Sequence, residues 1–157
     1  MEPGYSVSED IYVRYAETDQ MGVVYYGNYF TWFEVGRNAF FRSLGQSYGL
    51  LEENGLLLPV VEANCRYLAP AKYEDQVTIT TQLTNFTCSR ICFSYMIQRG
   101  ETLIATGSTV QGFVSKSKGR PINIKKHHPE LWERLQKLLP GKHNGVVANA
   151  GKDLGSR

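Results

Sequence analysis

Apolar residues recur at helical spacing between Asn28 and Leu44, and at every second position after Pro59. Ahead of both, residues 11–17, IYVRYAE, alternate weakly and are rich in aromatic and β-branched types, which predicts a first strand. The stretch TDQMG then breaks the pattern. At about 100° per residue, Tyr29, Trp32, Phe33, Gly36, Ala39, Phe40 and Leu44 fall on one side of a helix. Phe30 and Phe41 widen that side to about 200° of arc, leaving only Asn28, Thr31, Glu34, Asn38 and Arg42 as a polar stripe. So wide an arc predicts a helix wrapped by other structure. Gly36 lies inside it, at a cost of about 1 kcal/mol against Ala, which predicts a close backbone approach at that point. Gly45 and Gly49 offer helix stops.

Beyond Pro59 the period is two. Val61, Ala63, Cys65 and Tyr67 alternate with polar residues, as do Val77 to Leu83 and Ile91 to Ile97. Residues 102–115 make a fourth, less regular run. LAPAKYED, NFTCS and QRGE supply turns between them. Strands with one apolar and one polar face suit an antiparallel sheet covered on one side. KSKGRP, from Lys116 to Pro121, reads as a basic loop. HHPELWERLQKLL reads as a short terminal helix, with Pro129 near its first turn. Residues 1–139 are expected to form one domain, and the Gly-rich, aperiodic 140–157 a disordered tail. The order is α+β: a strand, a nearly buried helix, four strands, a helix. A single sheet curling around the long helix would bury it. Pairing of an open sheet edge with a second copy is predicted.

The chain of 157 residues is long enough for a real core without metals or disulfides. No window has the roughly 18 apolar residues of a membrane span. MEPGYSVSED lacks a basic region followed by an apolar one, so no secretory leader is expected there. Cys65, Cys88 and Cys92 make an odd number, which suits reduced thiols and a cytoplasmic setting. Charge is uneven: residues 1–115 carry seven Lys/Arg and 12 Asp/Glu, residues 116–157 ten and three. A basic final third implies either contact with an anion or simply a solvated tail.

The strand-to-helix junction concentrates the candidate chemistry. A helix starting near Gly27 or Asn28 leaves its first amides without intrahelical partners, and these attract a negative oxygen. Tyr25, Tyr26 and Gly27 stand where an oxyanion could be held. Asp19 lies upstream across a Gly-containing turn. A carboxylate facing amide donors across a small gap is a geometry for attack on a carbonyl. The same acids, Asp19 and Glu17, also admit a plainer reading as caps and dipole partners of the helix.

The stretch YAETDQMGVVYYGNYFTWFEVGR resembles the signature of the 4-hydroxybenzoyl-CoA thioesterase family of the hotdog fold, and in particular its Tol–Pal-associated branch. The matching residues are Asp19, Gly22, Val23, Val24, Tyr25, Tyr26, Asn28, Tyr29, Glu34 and Arg37. The likeness runs over about residues 10–138. It is specific in the first part and loose in the sheet. It implies a five-stranded antiparallel sheet around one long central helix, assembled as a homodimer or homotetramer with sites at the interface. It implies hydrolysis of an acyl-CoA thioester, with Asp19 as nucleophile or general base and the Tyr26 amide polarising the carbonyl. Gly22, Val24, Tyr25, Gly27 and Tyr29 would shape the pocket. Several members carry His where Tyr26 stands, and that His is credited with assisting catalysis. A tyrosine, ordinarily protonated up to about pH 10, cannot serve as a base at neutral pH.

Coenzyme A brings phosphate charges, and Arg90, Lys116, Lys118 and Arg120 are cations suited to them; an acidic acyl carrier protein would be drawn to the same patch. The alternative is an exposed loop kept soluble by charge. No separate cofactor is expected, since coenzyme A is part of the substrate. No metal is expected: Cys88 and Cys92 lack ligand spacing, and His127 and His128 read as surface residues. Nucleic-acid binding would need denser basic and aromatic faces. The rival functions are a non-catalytic acyl-CoA or acyl-carrier binding module, an acyl-carrier thioesterase, and a hydratase. The first 126 residues hold no His to share a hydratase's acid–base work.

Overall fold

The computed structural model describes residues 4–139 and 147–149. In chain order the elements are β1 (Ser6–Tyr12), a 3-10 turn (Tyr15–Glu17), α1 (Asn28–Ser43), α2 (Tyr48–Glu53), β2 (Leu56–Leu57), β3 (Val60–Tyr67), β4 (Gln76–Phe86), β5 (Arg90–Arg99), β6 (Thr102–Gly112), β7 (Val114–Ser115), α3 (Ile124–His127), α4 (Pro129–Gln136) and β8 (Val147–Asn149). Five strands pair antiparallel in the order β3-β6-β5-β4-β1, and β8 adds in parallel outside β1. β2 and β7 pair apart from the main sheet. This is the α+β arrangement the sequence predicts. The expected disordered tail over 140–157 lies mostly outside the described residues; within it, Val147–Asn149 lies beside Ser6–Ser8 of β1.

Helix α1 lies on the inner face of the sheet because its apolar arc and the inward side chains of β4 and β5 match. Ile91, Phe93, Tyr95 and Ile97 are fully buried, as are Val77 and Ile79. The Phe33 ring stacks on Tyr95, with centroids 4.3 Å apart and planes 12° from parallel. Phe40 meets Phe93 edge-on at 4.9 Å. Burying each such ring contributes about 1.5–3 kcal/mol. The close approach expected at Gly36 is present: a Cβ there would lie 2.1 Å from Thr81 Oγ1.

Four details differ from the sequence reading. The first strand spans Ser6–Tyr12, not 11–17. Glu9 is registered opposite the buried Ile79, so an acid occupies an inward position and hides the alternation of β1. Gly45 does stop α1, with φ +70°, but Gly49 lies inside α2, a helix the sequence reading missed. Ser47 caps α2 by accepting from the Leu50 amide. In α1 itself, Phe30 is left partly exposed and Arg37 is buried. The Arg37 guanidinium is tolerated inside because Nη1 donates to Tyr95 Oη at 3.1 Å, and Tyr95 Oη in turn shares a hydrogen bond with Thr109. The last difference concerns β3. It alternates as β5 does, yet no residue of it is buried. It is an outer strand of the sheet, and α1 meets it through few contacts, Tyr29 against Tyr67 among them.

Candidate active site

Two successive turns shape the junction between β1 and α1. In the first, Glu17 is buried and both its oxygens are engaged. Oε1 accepts from the Arg14 amide at 2.9 Å, and Oε2 accepts from the Trp32 indole at 2.7 Å. Burial alone would raise the Glu17 carboxyl. The Arg14 amide, the Trp32 indole and the Arg14 guanidinium outweigh it and hold the carboxyl below its ordinary range. The Glu17 carbonyl accepts twice more, from the Tyr25 amide at 2.9 Å and from Asn28 Nδ2 at 2.8 Å. One residue therefore ties the incoming loop to the first turns of α1.

The second turn carries Asp19. Thr18 and Val24 form an antiparallel bridge, and the Asp19 amide donates to the Val23 carbonyl at 2.9 Å. Within that loop the Gly22 amide donates to the Asp19 carbonyl at 3.0 Å. Gly22 has φ +80°, a left-handed conformation that other residues reach only with strain. Asp19 Oδ1 accepts from the Met21 amide at 2.9 Å. Among the described residues Oδ2 has no hydrogen-bond partner, and Asp19 is one of the residues that line a cleft.

That open cleft, about 370 Å³, is lined by Asp19, Val23, Val24, Tyr26 and Tyr29 from the junction and by Tyr67, the last residue of β3, with Leu68 to Pro70 after it. Tyr29 and Tyr67 meet edge-on at 5.1 Å, and Tyr26 meets Tyr67 at 6.3 Å. The amides of Tyr25 and Asn28 are used, by the Glu17 and Tyr25 carbonyls. The amides of Tyr26 and Gly27 donate to no group among the described residues. The helix start thus presents two adjacent free donors next to a cleft that also holds a carboxylate. A larger depression of about 580 Å³, bordered by Tyr12 to Tyr15, Tyr73 and Glu74, includes neither Asp19 nor the helix-start residues.

Of the site residues predicted from sequence, Asp19, Val24, Tyr26 and Tyr29 line the cleft together. Gly22 shapes the Asp19 turn. Gly27 supplies the second free amide. Tyr25 lies beside Tyr26, with ring centroids 4.6 Å apart, and their hydroxyl contact raises the Tyr25 phenol. The basic residues lie elsewhere. Arg90 pairs with Gly112, whereas Tyr67 pairs with Ala105, so the two places are about 24 Å apart along β6. Lys116 sits in an ion pair with Glu52 at 3.4 Å, and Lys118 and Arg120 follow it on the exposed loop. Within one protomer they do not meet the cleft. The sequence reading missed Val23 and the whole Tyr67–Pro70 side. Tyr67 ends an alternating run and Leu-Ala-Pro reads as a turn, and nothing local marks their contact with a helix start 41 positions away.

Known proteins resemble this chain in sequence and fold. Residues 13–135 match the thioesterase-like superfamily. YneP of Bacillus subtilis (strain 168), provisionally named an acyl-CoA thioesterase, is 39% identical over 132 residues, covering 82% of this chain and 94% of that protein. The acyl-CoA thioesterase YbgC of Haemophilus influenzae is 27% identical over 137 residues, covering 87% and 99%. The crystal structure of a DHNA-CoA thioesterase from Staphylococcus aureus superimposes with a TM-score of 0.81 at 34% identity, covering 85% of this chain and 90% of that one. The chain belongs to the thioesterase-like superfamily and has its hotdog fold.

Proposed function

We propose that the protein is an acyl-CoA thioesterase that hydrolyses a small aromatic or short-to-medium acyl thioester to the free acid and coenzyme A. One observation carries this reading: the unpartnered Oδ2 of Asp19 shares a cleft with the helix start that bears the free Tyr26 and Gly27 amides. The thioester carbonyl oxygen faces the amides, which stabilise the negative charge that develops on it. Oδ2 then acts in one of two ways. It attacks the carbonyl carbon, expelling the thiolate and leaving an anhydride that water cleaves. Alternatively it takes a proton from water, which attacks instead. A single turnover in ¹⁸O-water separates the two, because only the anhydride route can place label in the Asp19 side chain. The tyrosine lining suits an aromatic acyl group, and the likeness to the Staphylococcus aureus enzyme supports that preference.

The basic loop joins the site through a second copy. Two β3 edges pairing antiparallel about a twofold axis would bring the partner's far sheet end to this protomer's cleft, because the strand is reversed across the axis. Its counterparts of Arg90, Lys116, Lys118 and Arg120 would then receive the nucleotide phosphates of coenzyme A. Cys65, Cys88 and Cys92 are free, which fits a reducing, cytoplasmic setting. Among the described residues no helix is long and apolar enough to cross a membrane.

The test is a panel of aliphatic and aromatic acyl-CoA and acyl-carrier thioesters with free thiol detected. Thiol release, strongest for one acyl class, is the expected result. Binding without release across the panel would replace the enzyme with a non-catalytic carrier.

A further inference from the structure

We infer that Arg99, which lies outside the cleft, is a positioning residue that holds the Leu68–Pro70 wall against the Asp19 loop and so sets which acyl groups fit. The inference rests on the thioesterase reading of the cleft and adds to it the last residue of β5. Arg99 Nη1 donates to the Pro70 carbonyl at 2.9 Å and to Asp75 Oδ2 at 3.0 Å. Asp75 Oδ2 also accepts from the Lys72 amide at 2.9 Å, and the Asp75 amide donates to the Lys72 carbonyl at 3.0 Å. One nitrogen therefore joins the cleft wall to a turn that is closed on itself. Ala71, between them and fully buried, accepts at its carbonyl from the Val24 amide at 2.9 Å. Val24 lines the cleft and is bridged to Thr18, the neighbour of Asp19. Arg99 thus holds the chain one residue away from the bond that ties the wall to the Asp19 loop.

The wall needs this support because its own backbone supplies little. Leu68 and Ala69 share one acceptor, the Ile104 carbonyl, at 2.9 and 3.1 Å. Pro70 has no N–H to offer, so its carbonyl is its one backbone handle, and Arg99 takes it. Arg99 acts from a strand, where it pairs with Thr102, and a strand holds a side chain more firmly than a loop does. Its charge also reaches the cleft. Burial and then the Cys65 thiol raise the Tyr29 phenol, and the Arg99 guanidinium works against both. The ion pair with Asp75 is partly exposed on both sides, and such pairs add little to stability. Its consequence is geometric: a misplacement of about 1 Å, remote from the chemistry, can cost about 100-fold in rate.

Arg99→Met keeps much of the side-chain volume and removes the donors. The Val24 amide is expected to exchange its hydrogen about 10-fold faster in this variant, with the Ile79 and Phe93 amides of the central strands unchanged. The ratio of kcat/KM for benzoyl-CoA over butyryl-CoA is expected to shift at least about 5-fold, with the melting temperature close to that of the wild type. Both changes together support the inference. A Val24 amide that exchanges at the wild-type rate overturns it, as does a general acceleration that includes Ile79 and Phe93. Faster exchange at Val24 with an unchanged acyl ratio makes Arg99 a brace of the fold, and likewise overturns its role at the cleft. In each of these cases thiol release by the wild type leaves the thioesterase reading standing. Wild-type protein that releases no thiol across the acyl panel overturns that reading, and this inference with it.

Discussion

The turn at Tyr15–Glu17 and the turn at Asp19–Gly22 are neighbours in the chain, and they use their carboxylates in opposite ways. Glu17 is buried, and its side chain and carbonyl together accept four hydrogen bonds from the backbone or from the start of α1. Asp19 is half exposed at the margin of the cleft, holds its loop with one oxygen and has no hydrogen-bond partner for the other among the described residues. The difference follows from what surrounds each. Glu17 meets an indole N–H and an amide that would otherwise be buried without partners, and satisfying them is what makes its own burial tolerable. Asp19 sits in a tight turn that supplies only one nearby amide. Two acids two positions apart, indistinguishable by type, divide into a brace and the proposed reactive group.

Substitutions can break this division. Asp19→Asn is expected to have the largest effect. It keeps the Met21 hydrogen bond but removes the charge, so turnover should fall at least about 100-fold while the denaturant midpoint stays in place. Full thiol release from that variant would take Asp19 out of the chemistry. Glu17→Ala should behave in the reverse sense. It leaves the Trp32 indole and Arg14 amide without partners and should cost about 1–3 kcal/mol of stability, read from urea unfolding followed by Trp fluorescence. Gly22→Ala comes next: forcing a Cβ into φ +80° should cost about 1–2 kcal/mol. It should also lower kcat, because the Asp19 turn closes through that residue.

The smallest effect is the pH dependence of Glu17. Its carboxyl is lowered on folding from an ordinary value of 4.5, through the hydrogen bonds that outweigh burial. A group lowered in this way adds stability that is fully present above 4.5 and is lost as pH falls through the lower folded value. Glu17→Gln should therefore lower stability at pH 7 and flatten the acid limb below pH 4.5 by the same amount, so that the two curves converge at low pH. An unchanged acid limb would mean that other carboxylates set it.

Much of the fold was legible because burial follows periodicity. The wide apolar arc of α1 and the alternation of β4 and β5 mark the two faces that meet in the core. β1 was misplaced because Glu9 takes an inward position, where a charged residue reads as outward. β3 shows the limit of the method. Val61 to Tyr67 alternate as Ile91 to Ile97 do, but alternation says which residues share a face, not whether anything covers it. In the site, Asp19 and the helix start were legible because they lie within one short stretch. Tyr67 was not, since its contact with Tyr26 depends on how strand and helix pack. Glu17 was read as a helix-start acid, whereas its partner is an indole 15 residues on.

The margins of the sheet have a consequence for how large an assembly can become. On one side β8 shields Ser6–Ser8, and the rest of β1 carries the acids Glu9 and Asp10, which discourage a flush neighbour. On the other, β3 offers unpaired backbone along its full length. If two copies pair through that proposed rim, neither keeps a second one with which to recruit a third. Growth along the strand-pairing direction would then be self-limiting, and fibre-like stacking by that route would be closed off.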